Sequence, residues 1–267
     1  MKRTVSIRDI MDKKGKERIV MITSYDATTA RIVDAADVDI ILIGDSAGMV
    51  MAGGDSTLGV TMDHMVYHTQ CVTRTKPGAL VISDMPFMSY QASVPDAVRN
   101  AGRFLQEAGA QGVKIEGGKR VIEQVKAIIR ADIPVMGHLG LTPQSVHAFG
   151  GYKVQARGEQ AALLLKENAL ALQDAGIFAL VLECVPAPVA KEVTEALDIP
   201  TIGIGAGPHC DGQVLVIQDM LGMDKTFKPK FVKQYAHLYD IIRDAVQAYA
   251  AEVRDGTFPA REHCFKD

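Results

Sequence analysis

The run Ile40-Ile41-Leu42-Ile43 places four β-favouring apolar residues side by side and stops at Gly44-Asp45-Ser46. A strand with one wet face alternates. A run that does not alternate is buried on both faces, as in a parallel sheet covered by helices. In barrels and open α/β sheets, the residue just past such a strand stands where the chemistry is done. Asp45 holds that place.

The pattern recurs. Ala79-Leu80-Val81-Ile82-Ser83 ends in Asp84, Gly112-Val113-Lys114-Ile115 in Glu116, and Phe178-Ala179-Leu180-Val181-Leu182 in Glu183. Taken singly, an acid after a strand reads as a helix cap or a solvated loop residue. Several acids on one rim repel each other unless something positive sits among them. A divalent metal is the natural candidate. Asp45 and Asp84 are hard oxygen donors with no cysteine beside them, a set that suits Mg²⁺. Glu116 is a candidate third ligand, directly or through water.

Strands are predicted at 19–23, 40–43, 134–138, 200–205 and 213–217, together with those ending at Asp84, Glu116 and Glu183. Helical spacing falls between most of them, at 28–36, 61–74, 121–130, 159–175 and 188–197, with another helix opened by Pro95. Such alternation argues for a parallel sheet. The chain has 267 residues, close to the roughly 250 of a closed (β/α)8 barrel. We therefore expect one barrel domain over residues 1–267, with an N-terminal helical extension at 6–14 that plugs the bottom and a C-terminal helix from 230 to about 253. Two long loops, 48–59 and 139–157, are rich in glycine and interrupt this rhythm. Loops of that length in a tight fold are usually functional.

Charge and cysteine usage narrow the function classes. A net charge of −3 argues against a general nucleic-acid binder. No apolar run approaches the length of a membrane span, and the N-terminus leads into a polar stretch rather than a signal-peptide core. Cys71, Cys184, Cys210 and Cys264 are scattered without a CxxC pair, so they read as isolated reduced thiols of a cytosolic protein. Cys184 adjoins Glu183, which keeps a reactive role open.

Lys114 lies two residues before Glu116, so both face the barrel interior. A buried lysine answers a negative substrate, forms a Schiff base, or pairs with a neighbouring acid. His138 follows the fifth strand and reads either as a hydrogen-bonded structural residue or as a secondary site residue. Gly203-Ile204-Gly205-Ala206-Gly207 resembles the tight turns that hold phosphate in many barrels.

Longer motifs carry a family resemblance. Ile43-Gly44-Asp45-Ser46, Lys114-Ile115-Glu116-Gly117-Gly118 and Gly137-His138-Leu139-Gly140-Leu141-Thr142-Pro143-Gln144 resemble the ketopantoate hydroxymethyltransferase family. So do Phe149-Gly150-Gly151-Tyr152-Lys153-Val154-Gln155, Leu182-Glu183-Cys184-Val185-Pro186 and Ile202-Gly203-Ile204-Gly205-Ala206-Gly207. The resemblance implies a (β/α)8 TIM barrel of the phosphoenolpyruvate/pyruvate type. It implies transfer of a hydroxymethyl group from 5,10-methylenetetrahydrofolate, the co-substrate, to 3-methyl-2-oxobutanoate on the way to pantothenate. It also implies one Mg²⁺ per subunit held by Asp45, Asp84 and Glu116, with the keto acid on Asp45, Ser46, Asp84 and Lys114. Glu183 is implied as the proton acceptor. The family is cytoplasmic and homo-oligomeric, often decameric. Gly54 and Gly59 depart from its pattern, and both fall in the loop after the second strand. On the residues alone, a metal-free aldolase using Lys114 as a Schiff base is the alternative.

Overall fold

The apolar runs pair in parallel. In the computed structural model, which describes residues 4–226 and 229–265, they form β1 (Ile19–Thr23), β2 (Ile40–Ile43), β3 (Leu80–Asp84) and β4 (Gly112–Glu116). β5 (Val135–Gly140), β6 (Ala179–Glu183), β7 (Thr201–Ile204) and β8 (Gly212–Leu215) complete the set. Each strand pairs with the next, and β1 pairs with β8, so the sheet closes into the expected barrel.

Helices Ala27–Ala35, Met62–Thr73, Val94–Gln106, Ile122–Arg130, Glu159–Asp174 and Ala187–Ala196 lie between the strands. Their starts follow local chemistry. The Asp26 carboxylate accepts from the Thr28 and Thr29 N–H groups, and the Ser93 hydroxyl accepts from Asp96 N–H just past Pro95. Both satisfy donors that a helix N-terminus leaves free. The chain divides into two compact units, 1–216, which holds the barrel, and 217–267. None of the described helices is long and apolar enough to cross a membrane.

Strand parity sorts the residues. Ile19, Met21, Ile40, Leu42, Leu80, Ile82, Met136, Ala179, Val181, Ile202 and Val214 pack together as the barrel core. They recur at every second position because side chains alternate across a strand. One step further along the same faces stand Asp84, Lys114, Glu116, His138 and Glu183. The polar residues thus sit on the core side of the barrel, at the C-terminal ends of their strands.

The N-terminal segment packs at the opposite end. Ser6 caps helix Ile7–Asp12 reciprocally with Asp9, and Ile10 is fully buried in the barrel core. Val5 N–H donates to the Gly78 carbonyl oxygen at 2.8 Å, and Lys14 pairs with Asp211 at 2.9 Å.

The larger departures from expectation have local causes. β5 runs on to Gly140 because its last residues pair with Leu182 and Glu183 of β6. β8 begins at Gly212, which pairs with Ile19 and Ile202, and Ile217 instead opens a short helix. The C-terminal helix starts at Leu238, not at residue 230, because Tyr235, Leu238 and Tyr239 donate backbone N–H groups to Met220, Leu221 and Gly222. The two long loops hold short helical turns at Ala47–Val50, Thr57–Gly59, Pro143–Ser145 and Val146–Phe149.

Candidate active site

Five of the sequence-predicted residues meet at the C-terminal ends of β3 to β6, and Asp45 joins them from the turn after β2. Register brings them together. Asp84 lies opposite Lys114, and Glu116 lies opposite His138. Lys114 Nζ stands 3.1 Å from Asp84 Oδ1, 3.1 Å from His138 Nδ1 and 3.9 Å from Glu116 Oε1. His138 Nδ1 is 3.3 Å from Glu116 Oε1, and its Nε2 is 3.3 Å from Glu183 Oε2. Asp45 is tied in through its backbone, whose N–H donates to Asp84 Oδ2 at 3.1 Å. Ser46 stands at the edge of this group, its hydroxyl 2.9 Å from the Tyr25 hydroxyl.

Asp45, Asp84, Lys114, Glu116 and His138 are all buried, whereas the Glu183 side chain keeps 16% of its surface exposed. Glu183 is therefore the acid of the four that can pass a proton towards solvent. Four carboxylates face one ammonium and one imidazole, and burial sharpens the imbalance at Asp45, Asp84 and Glu116. Burial, then Glu116 and Asp84, push the Asp45 carboxyl well above its usual range, against the pull of Lys114. Burial also raises Asp84, with Lys114 as the main opposing influence. At Glu116 burial works upward too, but the His138 imidazole, Lys114 and the Gln144 N–H outweigh it and the carboxyl is lowered. Burial and the Lys114 charge oppose protonation of His138, yet the Glu116 and Glu183 carboxylates outweigh them and raise it.

Lys114 behaves likewise. Burial alone favours the neutral amine, but Asp84, Glu116 and Asp45 raise its affinity for the proton above the ordinary value. A Schiff-base nucleophile must be neutral, so this environment counts against that chemistry and favours a fixed positive charge. Cys184 is not poised to react. Burial, then the Glu183 charge, push its thiol up to about 12, far from the thiolate that a nucleophile requires.

The donor set fits a hard divalent cation. Asp45, Asp84 and Glu116 are buried around the single Lys114 ammonium, an excess of negative charge that a divalent ion would offset. Among the described residues, no three side chains of His, Cys, Asp or Glu already converge as a metal cage. Mg²⁺ does not need one, since it is commonly held by one or two carboxylates with water and substrate completing its shell. Asp45 and Asp84 can supply those two. Glu116 is otherwise engaged, with Oε2 accepting from Gln144 N–H at 3.0 Å and Oε1 facing His138 and Lys114.

Two loops wall the site. Tyr152 on the loop after β5 reaches Met49 on the loop after β2, its hydroxyl 3.8 Å from Sδ. Gly54 is packed where its N–H donates to the Gly48 carbonyl oxygen at 2.8 Å, and a Cβ there would stand 2.9 Å from that oxygen. A larger residue at 54 therefore needs a different loop path, whereas a Cβ at Gly59 meets open space. Gln144 and Tyr90 also belong to the site, although no role could be read for them in the sequence. Gln144 sits inside the longest family motif, but a buried amide on a loop has no periodicity to mark it, and Tyr90 lies in the turn after β3, where no periodicity marks it either.

Comparison with known proteins gives the family and the fold. The family model described as Ketopantoate hydroxymethyltransferase matches residues 4–261. The chain is 58% identical over 253 residues to the 3-methyl-2-oxobutanoate hydroxymethyltransferase of Syntrophomonas wolfei, covering 95% of this chain and 92% of that one. It is 56% identical to the protein of the same name from Pelobacter propionicus, covering 99% and 98%. Among solved structures, it resembles 2,3-dimethylmalate lyase, a member of the PEP mutase/isocitrate lyase superfamily, with a TM-score of 0.63 at 17% identity over 97% of this chain and 90% of that one. At that identity the likeness speaks for the barrel alone.

Proposed function

The chain belongs to the ketopantoate hydroxymethyltransferase family, and we propose that it transfers a hydroxymethyl group from 5,10-methylenetetrahydrofolate to 3-methyl-2-oxobutanoate, giving ketopantoate and tetrahydrofolate. The family membership makes it a transferase. The donor, the metal and the residue roles are our reading. The observation that carries it is the buried pairing of Lys114 with Asp84, 3.1 Å apart, beside Asp45. That arrangement offers one fixed positive charge and two hard carboxylates to a small keto acid.

The reaction removes a proton from the carbon beside the keto group; the resulting enolate carbon bonds to the one-carbon unit as that unit's bonds to the folate nitrogens break, and water supplies the hydroxyl group as tetrahydrofolate leaves. The enolate is a dianion, because the substrate carboxylate is already charged. Asp45 and Asp84, with Glu116 beside them, would hold a Mg²⁺ ion, which would supply Lewis-acid stabilisation where that charge develops. The Lys114 ammonium neutralises part of the same charge. Glu183 takes the proton, and His138 bridges it to Glu116 and Lys114, fixing its direction. Ser46, held by Tyr25, offers a hydroxyl to the substrate carboxylate. The loops at 48–59 and 139–157 form the wall against which the folate lies.

We further propose a homo-oligomer. The helix Leu238–Asp255 has no buried residue and exposes Ile241, Ile242, Val246 and Tyr249, the kind of apolar surface that a second copy covers. The free thiols suit a cytoplasmic enzyme.

The test is turnover of 3-methyl-2-oxobutanoate with methylenetetrahydrofolate, followed through chelation. Activity should vanish with EDTA and return with Mg²⁺. Turnover that survives complete chelation, with substrate trapped on Lys114 by borohydride, overturns the metal reading in favour of the Schiff base.

A further inference from the structure

Gln144 occupies a node that the reaction chemistry above does not use. It is buried, and every polar atom of its side-chain amide is engaged. Nε2 donates to Asp45 Oδ2 at 2.9 Å and to the Met85 carbonyl oxygen at 2.9 Å. Oε1 accepts from the Tyr90 hydroxyl at 2.8 Å and from Gln91 Nε2 at 3.0 Å. Its backbone N–H donates to Glu116 Oε2 at 3.0 Å. An amide has two hydrogens and two lone pairs, and all four are spent here.

This network also fixes which way the amide points. The Met85 carbonyl can only accept, so the atom facing it is the nitrogen. Gln91 presents its NH₂ group, so the atom facing that is the oxygen. The group turned towards Asp45 is therefore a donor, and it cannot flip without breaking contacts at both ends. It also carries no charge. A lysine or arginine in its place would cancel the Asp45 carboxylate and compete with any cation. A neutral donor engages Oδ2 and adds no charge of its own, leaving the other carboxylate oxygen outside this contact.

We propose that Gln144 is a positioning residue that sets Asp45 for one-oxygen ligation of a divalent cation, held in place itself by Tyr90 and Gln91. The inference rests on the reading that Asp45 and Asp84 bind such an ion. Partners that orient a metal ligand are worth about 10–100-fold in metal affinity. That is the size of the effect to be sought.

Mn²⁺ serves as the probe, titrated by electron paramagnetic resonance into full-length protein with 3-methyl-2-oxobutanoate present. Two variants remove the clamp from different sides. Gln144→Met keeps the volume and the backbone N–H to Glu116 but removes both amide donors. The double variant Tyr90→Phe with Gln91→Leu leaves Gln144 in place but frees its amide to turn. Each should weaken Mn²⁺ binding, Gln144→Met by about 10–100-fold and the double variant in the same direction. A merely structural Gln144 would lower the melting temperature and leave the Mn²⁺ affinity of the folded protein unchanged. Wild-type Mn²⁺ affinity in folded Gln144→Met overturns the inference; if that variant does not fold, the double variant decides by the same criterion. A wild-type protein that binds no Mn²⁺ overturns the metal reading, and the inference with it.

Discussion

Gly140 pairs with Glu183 across the β5–β6 ladder, and a Cβ at Gly140 would collide with the Glu183 carbonyl oxygen. Gly140 also adopts a φ of +92°, a region that residues with a Cβ rarely enter. The next residue, Leu141, donates its N–H to the same Glu183 carbonyl at 2.8 Å. The backbone that presents the Glu183 carboxylate is thus seated on a position only glycine fills.

Gly140→Ala should therefore move Glu183 without touching any charged group. A displacement near 1 Å in a positioned catalytic group costs on the order of 10²-fold in rate. We expect kcat to fall by about that factor, while keto acid binding, which our proposal assigns to Asp84 and Lys114, changes little. Steady-state kinetics and a direct keto acid titration on the folded variant check both halves.

The strand ends were legible because parity and position both mark them. Asp84, Lys114, Glu116 and Glu183 close apolar runs, and period 2 alone puts Lys114 beside Glu116 on the core side. The loops carry no such rule. Gln144 is made important by what lies opposite it, namely Asp45 from another strand end and Tyr90 from the loop after β3. No local pattern reports a partner 99 residues away in the chain. The C-terminal helix starts later than its local pattern suggests for a related reason, since the segment entering it donates the Tyr235, Leu238 and Tyr239 N–H groups to Met220, Leu221 and Gly222. Tertiary pairing there overrides local propensity.

Ile10 tests the plug. It is fully buried in the barrel core from the end opposite the carboxylates. Truncating such a side chain removes its transfer energy and leaves a cavity, a loss of about 2–5 kcal/mol. Ile10→Ala should lower the denaturant midpoint accordingly, yet keep wild-type kcat where the protein remains folded. A loss of kcat at full folding would mean that the plug also acts on the site.

Asp219, in the second unit, gives a pH signature. Burial, then the Asp224 charge, push its carboxyl from 3.8 up to about 6. The folded chain therefore holds a proton that the unfolded chain releases, and stability falls as pH rises through that window. About 2 pKa units correspond to roughly 3 kcal/mol, and partial exposure reduces this to on the order of 1–2 kcal/mol. Asp219→Asn should melt higher than wild type at pH 7.5 and the same at pH 4. Thermal melts of both proteins across that range read the difference directly.

Glu183 and Asp84 are the pair that separates proton transfer from binding. Asp84 is fixed from two sides, by Lys114 Nζ at 3.1 Å and by the Asp45 N–H at 3.1 Å. Removing its charge leaves Lys114 without its nearest carboxylate and removes one of the two hard oxygen donors. Asp84→Asn should therefore lose metal and keto acid binding along with turnover. Glu183 stands apart from Lys114 and meets the cluster only through His138 Nε2 at 3.3 Å. Glu183→Gln keeps the shape but removes the group we propose takes the proton, and a general base contributes about 10²–10⁴-fold. Its kcat should fall by that factor while the keto acid still binds with near wild-type affinity. Binding titrations beside kinetics on the two variants decide the assignment. Near-normal turnover in Glu183→Gln, or a loss of keto acid binding as complete as in Asp84→Asn, would take the proton-transfer role away from Glu183.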